Sequence, residues 1–215
     1  MNLSNITLLT ATFNRHDFTL NMLNSFVETV SNEIMPIVII DNSTIFPFPN
    51  VKNERISIID NTNFKYTKNY NQPSKNHCSS INFALSQINT DYVMLCDNDI
   101  LFKPSVKQLL KIYNDFDIIG EIGWDKVPPL RIYPYFCILN LNFIRKNKIS
   151  YFDEKRCMIN NGRMDTGSSF YEDCMKTKFR LKKIKVSDYV IHLKNGTLKN
   201  RTVNDLYIKK SLVVG

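Results

Sequence analysis

Along the first half of the chain, short apolar runs closed by polar residues alternate with longer stretches in which apolar residues recur every three or four positions. Ile6 to Phe13 reads Ile-Thr-Leu-Leu-Thr-Ala-Thr-Phe, which predicts a first strand finishing in Thr12, Asn14 and Arg15. Asp17 opens a helix whose Met22, Leu23, Phe26, Val27 and Val30 fall at helical spacing. Met35 to Ile40 forms a second apolar run, closed by Asp41-Asn42-Ser43-Thr44. Strand, helix, strand of this length is a crossover unit, and it implies parallel pairing. A third short strand, Ile56 to Ile59, ends in Asp60. Asn61 to Lys75 is polar and without periodicity, a long connection of the kind that covers or lines a site. Ile81, Ala84, Leu85 and Ile88 then mark a helix leading into the run at Tyr92. Pro104 and Ser105 begin another, with Val106, Leu109, Leu110 and Tyr113 inward. Four strands alternating with helices are therefore expected, each ending in polar residues.

The second half is less regular. Ile118 to Ile122 predicts a strand, and Arg131 to Leu139, with Pro134 inside, predicts an edge or bent strand. Leu141 to Asn147 suggests a short helix. Ser169 and Glu172, three apart, suggest a capping box at the start of a further one. Val190-Ile191-His192 is a last short strand with a histidine at its end. The expected fold class is α/β: one Rossmann-like domain with a mostly parallel central sheet flanked by helices.

Composition narrows the function classes. A chain of 215 residues that is 43% hydrophobic can bury a sizeable core. Five scattered cysteines without paired spacing fit a reducing compartment, and no run approaches ~18 apolar residues, so a cytoplasmic protein is expected. The formal net charge of +8 attracts anions of any kind. Much of it lies late, from Lys176 to Lys185, Lys194 to Arg201 and Lys209-Lys210, which reads as a solvated face or as a peripheral membrane contact. No aromatic-basic pattern points to nucleic acid. The apolar ending Leu212-Val213-Val214-Gly215 suggests a piece of a longer chain.

The chemistry concentrates in Tyr92 to Phe102, where an apolar run ends in Asp97-Asn98-Asp99. Side chains alternate along an extended chain, so the two aspartates project to one side and Asn98 to the other. Converging carboxylates repel unless a cation sits between them, most simply a hard divalent ion with oxygen ligands. An Asp-Asn-Asp turn that bonds only its own backbone is the competing reading. His16 and His77 read as helix-start residues, and Asp60 as a loop or turn residue.

In order and spacing, Thr12-Phe13-Asn14-Arg15, Ile39-Ile40-Asp41-Asn42-Ser43, Ser80-Ile81-Asn82-Phe83-Ala84-Leu85, Asp97-Asn98-Asp99, Glu172-Asp173 and His192 together resemble the GT-A fold glycosyltransferases, closest to the family 2 type. The resemblance spans nearly the whole of 1–215, with a nucleotide-sugar half at 1–103 and an acceptor half at 104–215. It implies a metal-dependent hexosyltransferase moving sugar from a nucleotide-diphosphate donor, UDP-sugar favoured, to an acceptor hydroxyl with inversion. Thr10, Thr12, Asn14 and Arg15 would line the nucleotide cleft, and Asp41 would accept a hydrogen bond from the base. Asp97 and Asp99 would bind Mn²⁺ or Mg²⁺, with Asn98 in the donor site between them and His192 completing the metal site. Asp173 would be the base, with Glu172 and Asp165 as alternatives.

The family's Ala-Arg-Asn before the metal strand is Ser80-Ile81-Asn82 here, which leaves the diphosphate to Lys75, Arg15 or His192. The Gln-x-x-Arg-Trp sequence of processive synthases is missing, so single addition to a glycan, lipid-linked or protein-linked acceptor is expected. Two other readings remain. One is an inactive sugar- or nucleotide-binding module of the same fold. The other is a Mg²⁺-dependent aspartate-nucleophile phosphatase, although such enzymes carry their aspartate pair on the first strand.

Overall fold

A computed structural model describes residues 3–30, 34–61, 73–124, 130–150 and 167–193, with backbone only at 73–76 and 124. The elements run β1 (Ile6–Thr12), α1 (His16–Thr29), β2 (Ile37–Asp41), β3 (Ile56–Asp60), α2 (Pro73–Gln87), β4 (Tyr92–Cys96), β5 (Ile100–Phe102) and α3 (Val106–Leu110). They continue with β6 (Ile118–Trp124), β7 (Leu130–Asn140), α4 (Leu141–Lys146), α5 (Ser168–Cys174), β8 (Leu181–Lys183) and β9 (Val190–His192). Seven strands form one sheet in the order β3-β2-β1-β4-β7-β6-β8. β7 is antiparallel to both β4 and β6, while the other pairings are parallel, so only β7 runs against the rest. β5 and β9 make a separate antiparallel ribbon.

Both faces of the sheet are covered, which is why β1, β2 and β4 read as nearly continuous apolar runs. Ile6, Leu8, Ile39 and Met94 belong to the layer that contains Met22 and Phe26 of α1. Leu9, Ile40, Val93 and Leu95 belong to the opposite layer, with Cys78, Ile81 and Ala84 of α2. Phe26 is fully buried and meets Phe102 edge to face at 4.9 Å. Truncating such a ring to alanine costs about 3–5 kcal/mol. Asn140 closes the start of α4 by accepting from the Phe143 N–H, as the sequence at Leu141 suggests.

Three local expectations are corrected. Residues 42–55, between β2 and β3, contain no helix, so strict alternation holds only from β1 to β2 and from β3 to β4. Of the two expectations for β7, edge or bent, the edge is corrected, because β7 is paired on both sides, and the irregular register fits the bent strand. Its register against β6 slips between Gly120, opposite Cys137, and Ile122, opposite Ile132, and Pro134 lies in that slip, where the missing N–H breaks no rung of the β6 ladder. The start of α5 is Gly167, at φ 88° and without a side-chain cap bond, and Ser169 lies inside the helix, buried. The capping box is therefore not formed. The left-handed start requires glycine, and a Cβ there would stand 2.3 Å from the Ile132 carbonyl oxygen.

Candidate metal and donor site

Parallel β1, β2 and β4 deliver their carboxyl ends to one edge of the sheet, where ligands bind in open α/β folds. β4 stops at Cys96, and the chain turns through Asp97-Asn98-Asp99 before entering β5. The Asp97 N–H donates to the Tyr135 carbonyl on β7 at 3.1 Å, and the Leu193 N–H donates to the Asp99 carbonyl at 2.8 Å. Asn98 turns the other way, and its Nδ2 donates to Thr19 Oγ1 on α1 at 3.1 Å. The two aspartates therefore converge through a turn, not through the alternation of an extended strand, and the turn expected as the competing reading is present.

The third member arrives through the small ribbon. Antiparallel pairing of β5 with β9 sets His192 opposite Ile100, and His192 Nε2 lies 3.3 Å from Asp99 Oδ1. One ligand atom from each of Asp97, Asp99 and His192 falls within 4.8 Å of the others. Ligands sharing one ion at about 2.1 Å stand about 3.0 Å apart when adjacent and about 4.2 Å when opposite, so the three side chains would close further on an ion. Two carboxylates with one imidazole make a donor set for a divalent ion, in which the imidazole favours a transition-metal ion such as Mn²⁺ over Mg²⁺. His77 Nε2 approaches from α2 to 4.0 Å from Asp97 Oδ1, and the Tyr135 ring packs on the His192 ring with centroids 4.8 Å apart. Burial pushes the Tyr135 phenol up to about 12, so its hydroxyl stays protonated.

Several residues expected to meet the nucleotide are used by the protein itself. Asp41 is 2% exposed, with Oδ1 accepting from the Ser43 N–H at 3.0 Å and Oδ2 from the Phe48 N–H at 2.6 Å. Both oxygens hold the loop after β2. Asn14, at φ 53°, joins the loops after β1 and β2: its Oδ1 accepts from the N–H groups of Thr44 and Ile45, and its Nδ2 donates to Thr44 Oγ1. Arg15 is engaged by Asp17 at 2.9 Å and lies over the Phe18 ring. Thr10 and Thr12 are fully buried, on the same parity of β1 as Ile6 and Leu8, and so lie under the edge rather than in the cleft. His16 is the first residue of α1, as expected, and its Nε2 lies 2.8 Å from Ser43 Oγ. Asp60 ends β3, paired in register with Asp41, and is not a loop residue.

Glu172 and Asp173 lie on α5, where Asp173 Oδ1 receives Lys176 Nζ at 2.9 Å. Neither belongs to the cluster of Asp97, Asp99 and His192. Asp165 and the basic residues after 193 lie outside the described residues, and of Lys75 only the backbone, in α2, is described. Cys96 beneath the site and Cys174 on α5 are raised by burial, Cys174 to about 12, so neither is a thiolate nucleophile at neutral pH. His77 and Tyr135 are the additions that sequence reasoning missed. His77 stands four before Ile81 and seven before Ala84, on the buried stripe of α2, and that spacing was the available signal.

No family model and no curated protein matches the chain. Solved structures do. S. aureus TarS 1-349 superposes with a TM-score of 0.55 at 13% identity, over 88% of this chain and 60% of that one. The chain has the GT-A fold. The galactosyltransferase LgtC, in complex with donor and acceptor sugar analogs, matches at TM-score 0.51 and 12% identity, over 83% of this chain and 73% of LgtC. The mannosyltransferase PcManGT from Pyrobaculum calidifontis, in complex with GDP-Man and Mn²⁺, matches at 0.51 and 10%, over 84% and 54%. TarS 1-349 also matches in its complex with UDP-GlcNAc. This GT-A chain therefore spans about 60% of the TarS piece it matches.

Proposed function

We propose that this chain is a metal-dependent glycosyltransferase that moves a sugar from a nucleotide-diphosphate donor to an acceptor hydroxyl. The observation that carries the reading is the convergence of Asp97, Asp99 and His192 at the carboxyl edge of a GT-A sheet. Neighbours of the same fold, solved with UDP-GlcNAc or with GDP-Man and Mn²⁺, support it. Asp97, Asp99 and His192 hold the ion, and Asn98, bonded to Thr19, sets the turn that aims the two carboxylates. When bound, Mn²⁺ or Mg²⁺ supplies Lewis-acid stabilisation of the negative charge that grows on the leaving diphosphate. The donor is a UDP-sugar in the first instance, with GDP-sugars second.

In an inverting transfer the acceptor oxygen bonds to the anomeric carbon as the bond from that carbon to the diphosphate oxygen breaks. The acceptor proton passes to a carboxylate, and the electron pair leaves with the diphosphate. Asp173 is assigned this proton, with Glu172 and Asp165 as alternatives. The acceptor is a glycan or a lipid- or protein-linked sugar. Exposed Lys178, Lys182, Lys183 and Lys185, on and beside the edge strand β8, favour peripheral contact with an acidic bilayer. Vesicle co-sedimentation that is insensitive to acidic lipid would remove that contact.

The test of the reaction is a set of UDP-, GDP- and dTDP-sugars with Mn²⁺, scored for thermal stabilisation and for release of nucleoside diphosphate by the wild type and by Asp99→Ala. One donor is expected to raise Tm and to turn over in a metal-dependent way that the substitution abolishes. Donor binding without turnover would make the chain a binding module. Equal turnover by Asp99→Ala would remove the metal site from the mechanism.

A further inference from the structure

We propose that Tyr135 is a positioning residue of the metal site, holding two of its three ligands, Asp97 through the main chain and His192 through the ring. This rests on the metal-site reading above and deepens it. The Tyr135 carbonyl accepts the Asp97 N–H at 3.1 Å, and its ring lies against the imidazole of His192 with centroids 4.8 Å apart at 42°. Asp97 follows directly from the central sheet, whereas His192 comes from β9, which among the described strands pairs with β5 alone. Tyr135 is where these two units meet beside the ligands.

The residue occupies this place because β7 departs from regular pairing there. Five steps of β7, from Ile132 to Cys137, face two steps of β6, from Ile122 to Gly120. The surplus residues include Pro134 and Tyr135, and such a surplus bends the strand locally. Tyr135 does not stand alone. The Tyr133 ring packs behind it at 5.4 Å, and the Arg131 guanidinium lies 5.2 Å from the Tyr133 ring centre. This row from Arg131 to His192 blocks the Tyr135 ring from swinging away from the imidazole. A metal-binding histidine must present one nitrogen along one direction, and its ring orientation is set by what surrounds it. Here an aromatic face restricts the ring.

The ring's face, rather than its hydroxyl, is the working part, which separates the substitutions. Mn²⁺ binding to the full chain, without donor, is measured by electron paramagnetic resonance, with directly coordinated ¹⁴N read by electron spin-echo modulation. Tyr135→Phe is expected to keep Mn²⁺ affinity within about twofold and to keep the nitrogen coupling, since it keeps the ring. Tyr135→Leu is expected to weaken Mn²⁺ by roughly tenfold or more, in the range that outer-shell substitutions produce, and to lose or reduce the coupling while Tm stays close to that of Tyr135→Phe. If Tyr135→Leu does not fold, Tyr135→Met fills the space with a flexible side chain and serves in its place. Wild-type affinity and coupling in a folded ring-less variant overturn the positioning role alone. A wild type that binds no Mn²⁺ overturns the metal site and this role together.

Discussion

Asp41 offers the sharpest test of whether a residue serves the protein or its ligand. It stands at the end of β2, 2% exposed, with one oxygen on the Ser43 N–H at 3.0 Å and the other on the Phe48 N–H at 2.6 Å. Ser43 and Phe48 are buried as well. Asp41→Ala removes both acceptors and strands two donors where water enters only if the loop opens. Hydrogen bonds to a charged group contribute about 1.5–3 kcal/mol each, so the pair sets a scale of about 3–6 kcal/mol. Because the two bonds share one carboxylate and the loop can relax, the lower part of that range, about 3–4 kcal/mol, is expected. Asp41→Asn keeps one acceptor but turns an NH₂ toward the other backbone donor, and about 2–3 kcal/mol is expected.

The loss also spreads to His16, whose Nε2 lies 2.8 Å from Ser43 Oγ and whose ring meets Phe48 edge to face at 5.1 Å. Urea denaturation is the assay. With an m-value near 3 kcal/mol/M, at the upper end of the small-protein range, a 3 kcal/mol loss moves the midpoint down by about 1 M. A midpoint within about 0.3 M of wild type, together with a large loss of nucleotide binding, would refute this account. The carboxylate would then be a base-reading group, as the fold resemblance implies, and its backbone bonds would be incidental.

Gly167→Ala, at φ 88° with the new Cβ 2.3 Å from the Ile132 oxygen, is expected to lower stability by at least about 2 kcal/mol as α5 is pushed off β7. A thermal melt unchanged from wild type would contradict it. Thr12 Oγ1 is buried and finds no hydrogen-bond partner among the described residues, so Thr12→Val, of nearly the same shape, is expected to stabilise by about 1 kcal/mol. A loss of stability in urea would mean that the hydroxyl has a partner. Asp91 accepts from Asn5 Nδ2 at 2.7 Å, and this bond, then one from Asn142, lowers its carboxyl below the usual range. A depressed native value contributes stability above the unfolded value, near 3.9, and loses it as pH falls through the native one. Asp91→Asn should therefore lose less stability than wild type between pH 5 and pH 2, by a small margin because the site is exposed. Parallel stability curves would refute it.

Much of the frame was legible because hydrophobic runs carry it. β1, β2 and β4 are covered on both faces and read as nearly continuous apolar runs, and α2 shows its stripe at 81 and 84, continued by Ile88 just past its end. The convergence of Asp97 and Asp99 was legible from their spacing, but its cause is a turn after β4 rather than the geometry of an extended chain. The interior place of β7 was not. A proline normally marks an edge, and what rescues Pro134 is a register slip set by β6, outside any local window. The loop bonds of Asp41 and Asn14 were not legible for a different reason. Their side chains bond to backbone N–H groups of loops, and polar residues at strand ends look alike whether they meet a loop or a ligand. The burial of Thr10 and Thr12 was available in principle, because both share strand parity with Ile6 and Leu8.

The three candidate ligands differ in how firmly the fold holds them, and that difference bears on how a site of this kind works. Asp97 leaves the central sheet, with its N–H on Tyr135, and is as firmly placed as β4 itself. His192 depends on three residue pairs, Ile100 to His192, Leu101 to Ile191 and Phe102 to Val190, with the Lys103 and Leu193 N–H groups extending the ladder at its two ends. A two-stranded ribbon of this length is not stable by itself in water. It persists because Ile100, Phe102 and Val190 are buried, because the Phe102 N–H donates to Ser25 Oγ on α1, and because Tyr135 backs the histidine. Opening of this ribbon therefore removes one ligand and leaves the two carboxylates facing each other, at a lower free-energy cost than disrupting β4. An ion that binds only the closed arrangement stabilises it by mass action, so occupancy of the site and order of the β5–β9 ribbon are linked.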